Sequence, residues 1–203
     1  MALFLRVYKI NTLPLGLNVD EVSQGYNAYS ILLTGRDRYG QLFPILFKSY
    51  QSFQPPLYTY LTAIPTFILG MNNLSVRLVS LVSHLVIIFL TFLIVKRLFP
   101  KNDRLALIAS SVVAICPWSI FFSRYATEAS LGLVLIVGPL YLMITAEDKK
   151  VNVIIALILL GLATHAYYTE RIVAPLLLLV FVVVYRQFIS KNKKLFLKGD
   201  LYL

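Results

Sequence analysis

The sequence predicts an all-α fold: a polytopic transmembrane helix bundle with an extracytoplasmic first loop that contains interfacial helices. Three observations predict it. The 203 residues are 59% hydrophobic and only 14% charged, and the mean hydropathy of +0.77 is too high for an ordinary soluble domain. Several long stretches lack charged residues, and the basic residues gather in short connections between them. We therefore expect a single membrane domain over residues 1–203.

The first thirteen residues are apolar but include Arg6 and Lys9, and they are too short to cross a bilayer. They also lack the small-residue cleavage site of a signal peptide. We interpret them as the tail of a helix that begins upstream. Hydrophobicity returns at 195–203 after a basic stretch, which indicates further spans downstream. The sequence is therefore interpreted as an N-terminal fragment of a longer membrane protein.

Residues 14–74 are predicted to form the first extracytoplasmic loop, with amphipathic or interfacial helices. Apolar side chains recur there at helical spacing, at Val22, Tyr26, Tyr29 and Leu33. This period places the adjacent acids Asp20 and Glu21 at a helix N-terminus. A second apolar segment, 57–71, contains Pro65 and is short for a span, so we expect an interfacial or re-entrant helix.

About five transmembrane helices are expected over residues 75–190. Three stretches lack Asp, Glu, Lys and Arg and approach the roughly 20 residues that cross a bilayer; they are 78–95, 105–122 and 129–146. Two further stretches, 151–169 and 172–188, are interpreted as a hairpin of spans. Residues 191–203 are expected to form a basic cytoplasmic connection.

The basic residues predict the orientation. Eleven of the 19 Lys and Arg residues lie in three connections: Lys96, Arg97, Lys101 and Arg104; Lys149 and Lys150; and Arg186, Lys191, Lys193, Lys194 and Lys198. The positive-inside rule places these connections in the cytoplasm, so the turns 123–128 and 165–171 face outward with the first loop. The net charge of +10 thus has a membrane explanation, and no nucleic-acid partner is expected. The single cysteine, Cys116, excludes a disulfide framework.

The outward segments hold the residues that could carry chemistry. They include five of the nine acids, namely Asp20, Glu21, Asp37, Glu128 and Glu170, together with the cations Lys48, Arg124 and Arg171. If these turns converge, carboxylates and cations meet at the boundary between lipid and water. Transfer of a group from a lipid phosphate needs such a site, because a carboxylate accepts the acceptor proton while cations neutralise the departing phosphate. Arginine suits phosphate through its bidentate guanidinium.

Each acidic or basic candidate also has a structural interpretation. Asp20 can act as a helix cap, and Glu21 as a solvated acid in the first turn. Arg124 and Glu128 are four residues apart, as in an intrahelical ion pair. Arg171 can extend to the membrane interface.

The histidines and aromatic residues also have alternatives. His165 fits a hydrogen-bonded interfacial histidine, and His84, in the middle of a predicted span, fits a buried neutral one. The aromatic residues near the ends of the spans fit an interfacial belt first and sugar stacking second. They are Tyr58, Tyr60, Trp118, Tyr125, Tyr167 and Tyr168.

An ordered set of short motifs extends over nearly the whole chain. It comprises Pro14-Leu15-Gly16-Leu17-Asn18-Val19-Asp20-Glu21, Leu33-Thr34-Gly35-Arg36-Asp37 with Gly40, Gln54-Pro55-Pro56-Leu57-Tyr58, Gly70, Ser75-Val76-Arg77-Leu78, Pro117-Trp118 and Ser123-Arg124. In this order the motifs resemble the membrane glycosyltransferases of the GT-C superfamily. They are most similar to the branch of protein mannosyltransferases and lipid A aminoarabinose transferases.

The resemblance implies a hexosyl- or mannosyltransferase-like enzyme that transfers a sugar from a polyprenyl-phosphate donor to an acceptor hydroxyl on the extracytoplasmic side, with inversion. The acidic motif of the family maps onto Asp20 and Glu21, with Asp20 the better candidate for the base. Arg124, Arg171 and Lys48 are assigned to the donor phosphate. Substrate-binding candidates are Gln54, Tyr58, Glu128, His165 and Tyr168. An integral, multi-pass protein of the plasma membrane is implied if the source is prokaryotic.

The resemblance names no definite cofactor and leaves a divalent metal open. In the aminoarabinose transferase branch a Glu-Lys pair precedes the proline of the surface helix, whereas this chain has Phe53-Gln54; the metal ligands are therefore unknown. The expected partners are the bilayer, the polyprenyl-phosphate-linked sugar, and a protein, lipid or polysaccharide acceptor.

Two other readings compete with an enzyme: a fragment of a membrane transporter or flippase, and a non-catalytic membrane scaffold. A transporter places its ionisable groups near the bilayer midplane. Here the charged candidates gather at one face, which favours the glycosyltransferase, although the isolated fragment is expected to be inactive.

Overall fold

The computed structural model describes residues 1–50, 52–146 and 150–191, without the side chains of Lys150 and 187–191. Helices dominate these residues, and the one sheet among them is a small two-stranded hairpin, which confirms the all-α prediction. The helices are α1 (Ala2–Val7), α2 (Val19–Thr34), α3 (Pro56–Leu69), α4 (Asn73–Leu98), α5 (Asp103–Ile115), α6 (Pro117–Ser123), α7 (Glu128–Ile144), α8 (Lys150–Ala163) and α9 (Glu170–Lys191). The predicted Lys149 and residues 192–203 of the last connection lie outside the description.

One helix among the described residues is long and apolar enough to cross a membrane. It is α4, with a hydropathy of 2.7 over its most apolar part. Helices α5 and α6 are long and apolar enough to cross a membrane only if the two together form one bent span. Helices α3, α7 and the Val151–Ala163 part of α8 are apolar but shorter. The arrangement of about five spans therefore stays a prediction.

The predicted span 105–122 is broken into two helices. Helix α5 ends at Ile115, α6 begins at Pro117, and the two axes differ by 58°. Proline lacks an N–H donor and clashes with the carbonyl four residues earlier. Its ring also disfavours helical geometry at the preceding residue, and Cys116 is extended, with φ −57° and ψ 125°. The break thus follows from Pro117.

Helix α2 begins with a capping box centred on Asn18. The Oδ1 atom of Asn18 accepts a hydrogen bond from the backbone of Glu21 at 2.8 Å, and Oε2 of Glu21 accepts one from the Asn18 backbone at 3.1 Å. These two bonds satisfy donors that the first turn leaves free. The cap is therefore Asn18, and the interpretation of Asp20 as the cap is wrong.

The polar side of α2 faces inward and its apolar side faces outward. Glu21, Ser23, Gln24, Asn27 and Ala28 are buried, whereas the residues that set the apolar period are exposed: Val22, Tyr26, Tyr29 and Leu33. The helical period was predicted, but the buried side was not. The inward face packs on α3, where Thr59 and Thr62 are fully buried.

Helix α4 is the centre of the bundle and contacts α2, α3, α5, α6 and α7. Helix α2 approaches it closely at Gly25, where an added Cβ would lie 2.8 Å from Cγ2 of Val76. The buried core is rich in alanine, which lets helices approach one another. Its members are Tyr58, Val76, Ala126, Leu131, Leu135, Leu160, Ala163, Ala166 and Ala174.

A short antiparallel hairpin joins α2 to α3. Strand β1 (Phe47–Lys48) pairs with β2 (Phe53–Gln54), with Phe47 opposite Gln54 and Lys48 opposite Phe53. Phe47 is fully buried and packs edge-on against Tyr60 at 5.4 Å between ring centroids. The hairpin thereby fixes Gln54 directly before α3.

Candidate functional site

The three segments that the sequence predicts to face outward contact one another. The backbone N–H of Ala126 donates to Glu21 Oε1 at 2.8 Å, which joins the α6–α7 turn to the first loop. The Tyr168 hydroxyl donates to the carbonyl of Phe53 at 3.0 Å, and Leu57 N–H donates to the carbonyl of His165 at 3.2 Å. These contacts bring the turn before α9 to the start of α3.

Glu21 forms a buried ion pair with Arg77 of α4. The Nε atom of Arg77 lies 2.9 Å from Oε1, and Nη2 lies 3.3 Å from Oε2; the side chains are 0% and 1% exposed. The three remaining Arg77 hydrogens go to the carbonyls of Ile10 at 2.8 Å, Pro14 at 3.3 Å and Gly16 at 2.6 Å. A buried pair stabilises only when its remaining donors and acceptors are satisfied, and this pair meets that condition.

The contacts of Glu21 leave its carboxylate fully occupied. Oε1 accepts from Arg77 and Ala126, and Oε2 accepts from Arg77 and Asn18. The sequence prediction placed Glu21 with Asp20 in the catalytic pair. The geometry instead makes Glu21 the group that ties the start of α2 to α4 and to the α6–α7 turn.

Arg77 is the site residue whose role sequence reasoning missed. A signal was present, since Arg77 is the only charged residue of α4 before Lys96. An ionisable residue in an otherwise apolar membrane helix is a functional candidate by default. Its partner Glu21 lies 56 residues away in the chain, and no local pattern connects the two.

Asp20, in contrast, has an exposed side chain. Its Oδ1 atom lies 3.3 Å from the Nε2 donor of Gln54, and the same amide lies 3.5 Å from the Asp20 carbonyl. Gln54 is buried and held by β2, so it orients the carboxylate from a fixed position. The two neighbouring acids therefore have different surroundings: Glu21 is enclosed, and Asp20 is open to a reactant.

Glu128 supplies a second carboxyl near Asp20. It is the first residue of α7 and follows the N-cap Thr127. Burial raises the pKa of Glu128, the nearby Gln24 amide partly offsets the rise, and the Asp20 charge adds to it. Burial raises the pKa of the Tyr125 phenol, and the charges of Glu21 and Asp20 add to the rise. The sequence prediction placed Tyr125 in an aromatic belt first and in sugar stacking second.

Arg124 is bound to the backbone of the N-terminal segment. Its Nη1 and Nη2 atoms donate to the carbonyls of Leu5 at 2.9 Å and Leu13 at 3.0 Å. Burial lowers the pKa of Arg124, and the neighbouring Arg77 adds to this effect. The alternative of an intrahelical pair with Glu128 is wrong, because α6 ends at Ser123 and a turn separates the two residues.

Arg171 and Lys48 are exposed on the outer surface. The Arg171 guanidinium lies 4.6 Å from the centre of the Tyr168 ring, and its Nε donates to the Thr164 carbonyl at 3.3 Å. The Lys48 ammonium lies 5.2 Å from the centre of the Tyr39 ring. Of the three cations predicted for a phosphate, these two have their charged ends open to solvent.

A family model described as dolichyl-phosphate-mannose-protein mannosyltransferase matches residues 53–202, about three quarters of the chain. The chain belongs to this family. Members of the dolichyl-phosphate-mannose-protein mannosyltransferase family are integral membrane glycosyltransferases, so the general prediction of a membrane transferase is confirmed. The match begins at Phe53 and leaves Asp20 and Glu21 outside the matched residues. No curated protein and no solved structure gives a significant match.

The remaining substrate candidates lie in different environments in this mannosyltransferase-family chain. His165 is exposed, with Nδ1 3.1 Å from the Thr164 hydroxyl and 3.2 Å from the Gly161 carbonyl. Tyr168 is also exposed and lies at the contact with Phe53. Tyr58 has no exposed surface, and its hydroxyl lies 2.8 Å from Ser80 Oγ and 3.2 Å from the Val76 carbonyl. Tyr58 is thus a core residue, and its position does not present it to a substrate.

Replacing Tyr58 with Phe tests this structural role. We expect stability to fall by about 1 kcal/mol, because a buried hydroxyl loses its hydrogen bonds to α4, while the KM for the sugar donor stays unchanged. Thermal unfolding in detergent and steady-state transfer kinetics provide the two measurements. A raised donor KM with unchanged stability would contradict the structural role and indicate that Tyr58 contacts the substrate.

Among the described residues, no group of three or more His, Cys, Asp and Glu side chains could hold a metal ion. The Asp20 charge contributes to the raised pKa of Glu128, as noted above. These described residues assign no ligands to a metal. The groups that meet here are the exposed Asp20 carboxylate, the Gln54 amide beside it and the Glu128 carboxyl.

Proposed function

We propose that this chain is part of a multi-pass membrane glycosyltransferase with its active site on the extracytoplasmic side. It transfers a sugar from a polyprenyl-phosphate donor to an acceptor hydroxyl, with Asp20 as the base. The observation that carries the proposal is the different environment of the two adjacent acids, since Glu21 is buried and Asp20 is exposed. Glu21 is enclosed by four donors, and this fixes the backbone beside Asp20 while the Asp20 carboxylate stays exposed.

The proposed step balances around the anomeric carbon. Asp20 accepts the proton of the acceptor hydroxyl while the hydroxyl oxygen forms a bond to the anomeric carbon. The bond from that carbon to the phosphate oxygen breaks, and the polyprenyl phosphate leaves with the electron pair. Attack opposite the leaving group inverts the configuration. A positioned base contributes about 10²–10⁴-fold to such a reaction.

Glu128 is proposed to act as a hydrogen-bond donor to the substrate. Its raised pKa favours the neutral carboxyl more than in an exposed glutamate. A neutral carboxyl next to an ionised one gives the site both a donor and an acceptor, which suits a sugar or acceptor hydroxyl. Gln54 is proposed to hold Asp20 in its orientation through the 3.3 Å contact.

An apolar groove supports a lipid-linked donor. Its volume is about 370 Å³, and it lies between α3, α4 and α7, where Leu61, Ile64, Pro65, Val82 and Val134 form part of its wall. A chain of isoprene units would bury apolar surface there. We propose that Arg171 neutralises the donor phosphate, with Lys48 in support. Arg124 is a weaker proposal, because binding a phosphate would cost its two carbonyl contacts.

The cation assignment is tested by replacing Arg171 with Ala. Losing a hydrogen bond to a charged group costs about 1.5–3 kcal/mol, so we expect the donor KM to rise about tenfold or more. The assay follows transfer from a panel of radiolabelled polyprenyl-phosphate sugars in membranes that contain the full-length protein. Product configuration, determined by NMR, should be inverted.

Arg186 provides the matched control, because it is an exposed arginine near the other end of the same helix. Replacing Arg186 with Ala should leave the donor KM unchanged. Equal donor KM values for the wild type and for the Arg171→Ala variant would reject Arg171 as the phosphate ligand. A transporter or a scaffold predicts no transfer from any donor by well-inserted wild type, which would contradict the enzyme itself.

A further inference from the structure

Another buried acid, Glu170, lies at the start of α9 and is not used in the proposed reaction. Only 7% of its surface is exposed, and Oε2 is buried without a hydrogen-bond partner. Within the described residues the ion pairs are Arg77–Glu21 and Lys96–Asp103, and neither includes Glu170. Burying a charged carboxylate without a partner is costly, and burial raises the pKa of Glu170.

Helix α7 provides the space that the Glu170 carboxyl occupies. An added Cβ at Gly132 would lie 2.9 Å from Oε1 of Glu170 and 3.1 Å from its Cγ. A larger residue there would displace the carboxyl. The Glu170 carboxyl is therefore held in a defined position against Gly132.

The carboxyl lines a cavity of about 270 Å³ between α4, α6, α7 and α9. His84, Phe122, Leu133 and Tyr167 form much of the remaining wall. The wall thus combines one carboxyl, one imidazole, two aromatic rings and aliphatic surface. Aromatic faces attract cations through their negative electrostatic potential.

Both ring nitrogens of His84 lie within hydrogen-bond distance of serine hydroxyls. Nδ1 lies 3.3 Å from Ser119 Oγ, which accepts a hydrogen bond from Arg6 Nη2 at 2.7 Å. Nε2 lies 3.2 Å from Ser130 Oγ, which donates to the Phe122 carbonyl at 3.2 Å.

Glu170 is the acid that lines the cavity. Both nitrogens of His84 already lie beside serine hydroxyls, and Ser119 separates the imidazole from the Arg6 guanidinium. A cation bound beside Glu170 would favour the ionised form of its carboxyl. We propose that the cavity binds an ammonium group on a compact apolar body, with the charge against Glu170 and the carbon substituents against Phe122 and Tyr167. This inference does not rest on the proposed sugar transfer.

The size of the cavity suits a small ligand. A volume of about 270 Å³ lies just below the usual range of 300–1,000 Å³ for sites of drug-sized ligands, which is enough for an ammonium head group. The same chemistry can come from a soluble organic cation or from the amine of a lipid head group. The experiment separates these two sources.

Binding of radiolabelled tetraethylammonium to the full-length protein in maltoside micelles tests the proposal. We expect saturable binding that weakens at least tenfold in the Glu170→Gln variant, which removes the charge and keeps the shape. The Gly132→Ala variant should also bind more weakly, because its methyl group displaces the carboxyl. Adding phosphatidylethanolamine should reduce tetraethylammonium binding if the natural source is a lipid amine, and should have no effect if it is a soluble cation.

The matched control is Asp103→Asn, which makes the same chemical change at an exposed acid outside the cavity. It should bind like the wild type. Gel filtration and thermal unfolding check the fold, and Glu170→Gln should be at least as stable as the wild type because it removes an unpaired buried acid. Absence of saturable binding by folded wild type, or equal binding by wild type and Glu170→Gln, would overturn the proposal.

Discussion

Replacing Asp20 with Asn is expected to lower sugar transfer by about 10²–10⁴-fold, the usual contribution of a positioned general base. The substitution keeps the shape and removes the ability to accept a proton. Folding should be unaffected, because Asp20 is exposed and its described side-chain contact is the 3.3 Å one with Gln54. Transfer from the preferred donor, measured in membranes with equal amounts of inserted protein, gives the result.

Two matched acids control this experiment. Asp103→Asn alters an exposed acid at the start of α5 and should retain full transfer. Glu21→Gln alters the enclosed neighbour of Asp20 and should reduce the amount of folded protein before it changes the rate per folded molecule. Wild-type rates in a well-inserted Asp20→Asn variant would remove Asp20 as the base and leave the fold unchanged.

Replacing Arg77 with Met should destabilise the protein by about 3–5 kcal/mol, since removing one member of a buried ion pair leaves the other charge uncompensated. Glu21 would lose its cation, and the carbonyls of Ile10 and Gly16 would lose their donors. Chemical unfolding in detergent, followed by circular dichroism, measures the loss. Combining Arg77→Met with Glu21→Leu should recover part of it, because the double variant buries no isolated charge.

The exposed ion pair of Lys96 and Asp103 provides the comparison for Arg77. Its atoms lie 3.6 Å apart, and the side chains are 50% and 64% exposed. Such pairs contribute about 0–1 kcal/mol, so Lys96→Met should be nearly neutral. Similar losses of stability in the Lys96 and Arg77 variants would show that burial does not increase the contribution of the Arg77–Glu21 pair to stability.

Local patterns predicted the elements that depend on local chemistry. The charge-free stretch 78–95 lies within α4, and the acidic pair does lie in the first turn of a helix. The period of Val22, Tyr26 and Tyr29 predicted α2 but not its buried side. A hydrophobic stripe packs inward when water surrounds the protein, whereas this helix buries its polar side, so the pattern alone could not decide the orientation.

The site itself depends on contacts that sequence spacing does not encode. Which of two adjacent acids is enclosed follows from Arg77 and Ala126, which lie 56 and 105 residues from Glu21. Tyr58 was expected to contact a substrate. It lies in the core, where its hydroxyl is hydrogen-bonded to Ser80 of α4. Arg124 was assigned to a phosphate from its position, yet carbonyls at the N-terminal end hold it.

The separation of the Glu21 contacts along the chain also has a consequence for biogenesis. During synthesis the ribosome releases the first loop long before Arg77 and later Ala126 emerge, so Glu21 meets its full set of donors only after the α6–α7 turn has been made. Contacts of such long range form late in folding. In shorter nascent chains the start of α2, which carries Asp20, therefore lacks the Glu21 contacts that hold it in place. We expect such a chain to be inserted in the membrane before Asp20 is positioned for reaction.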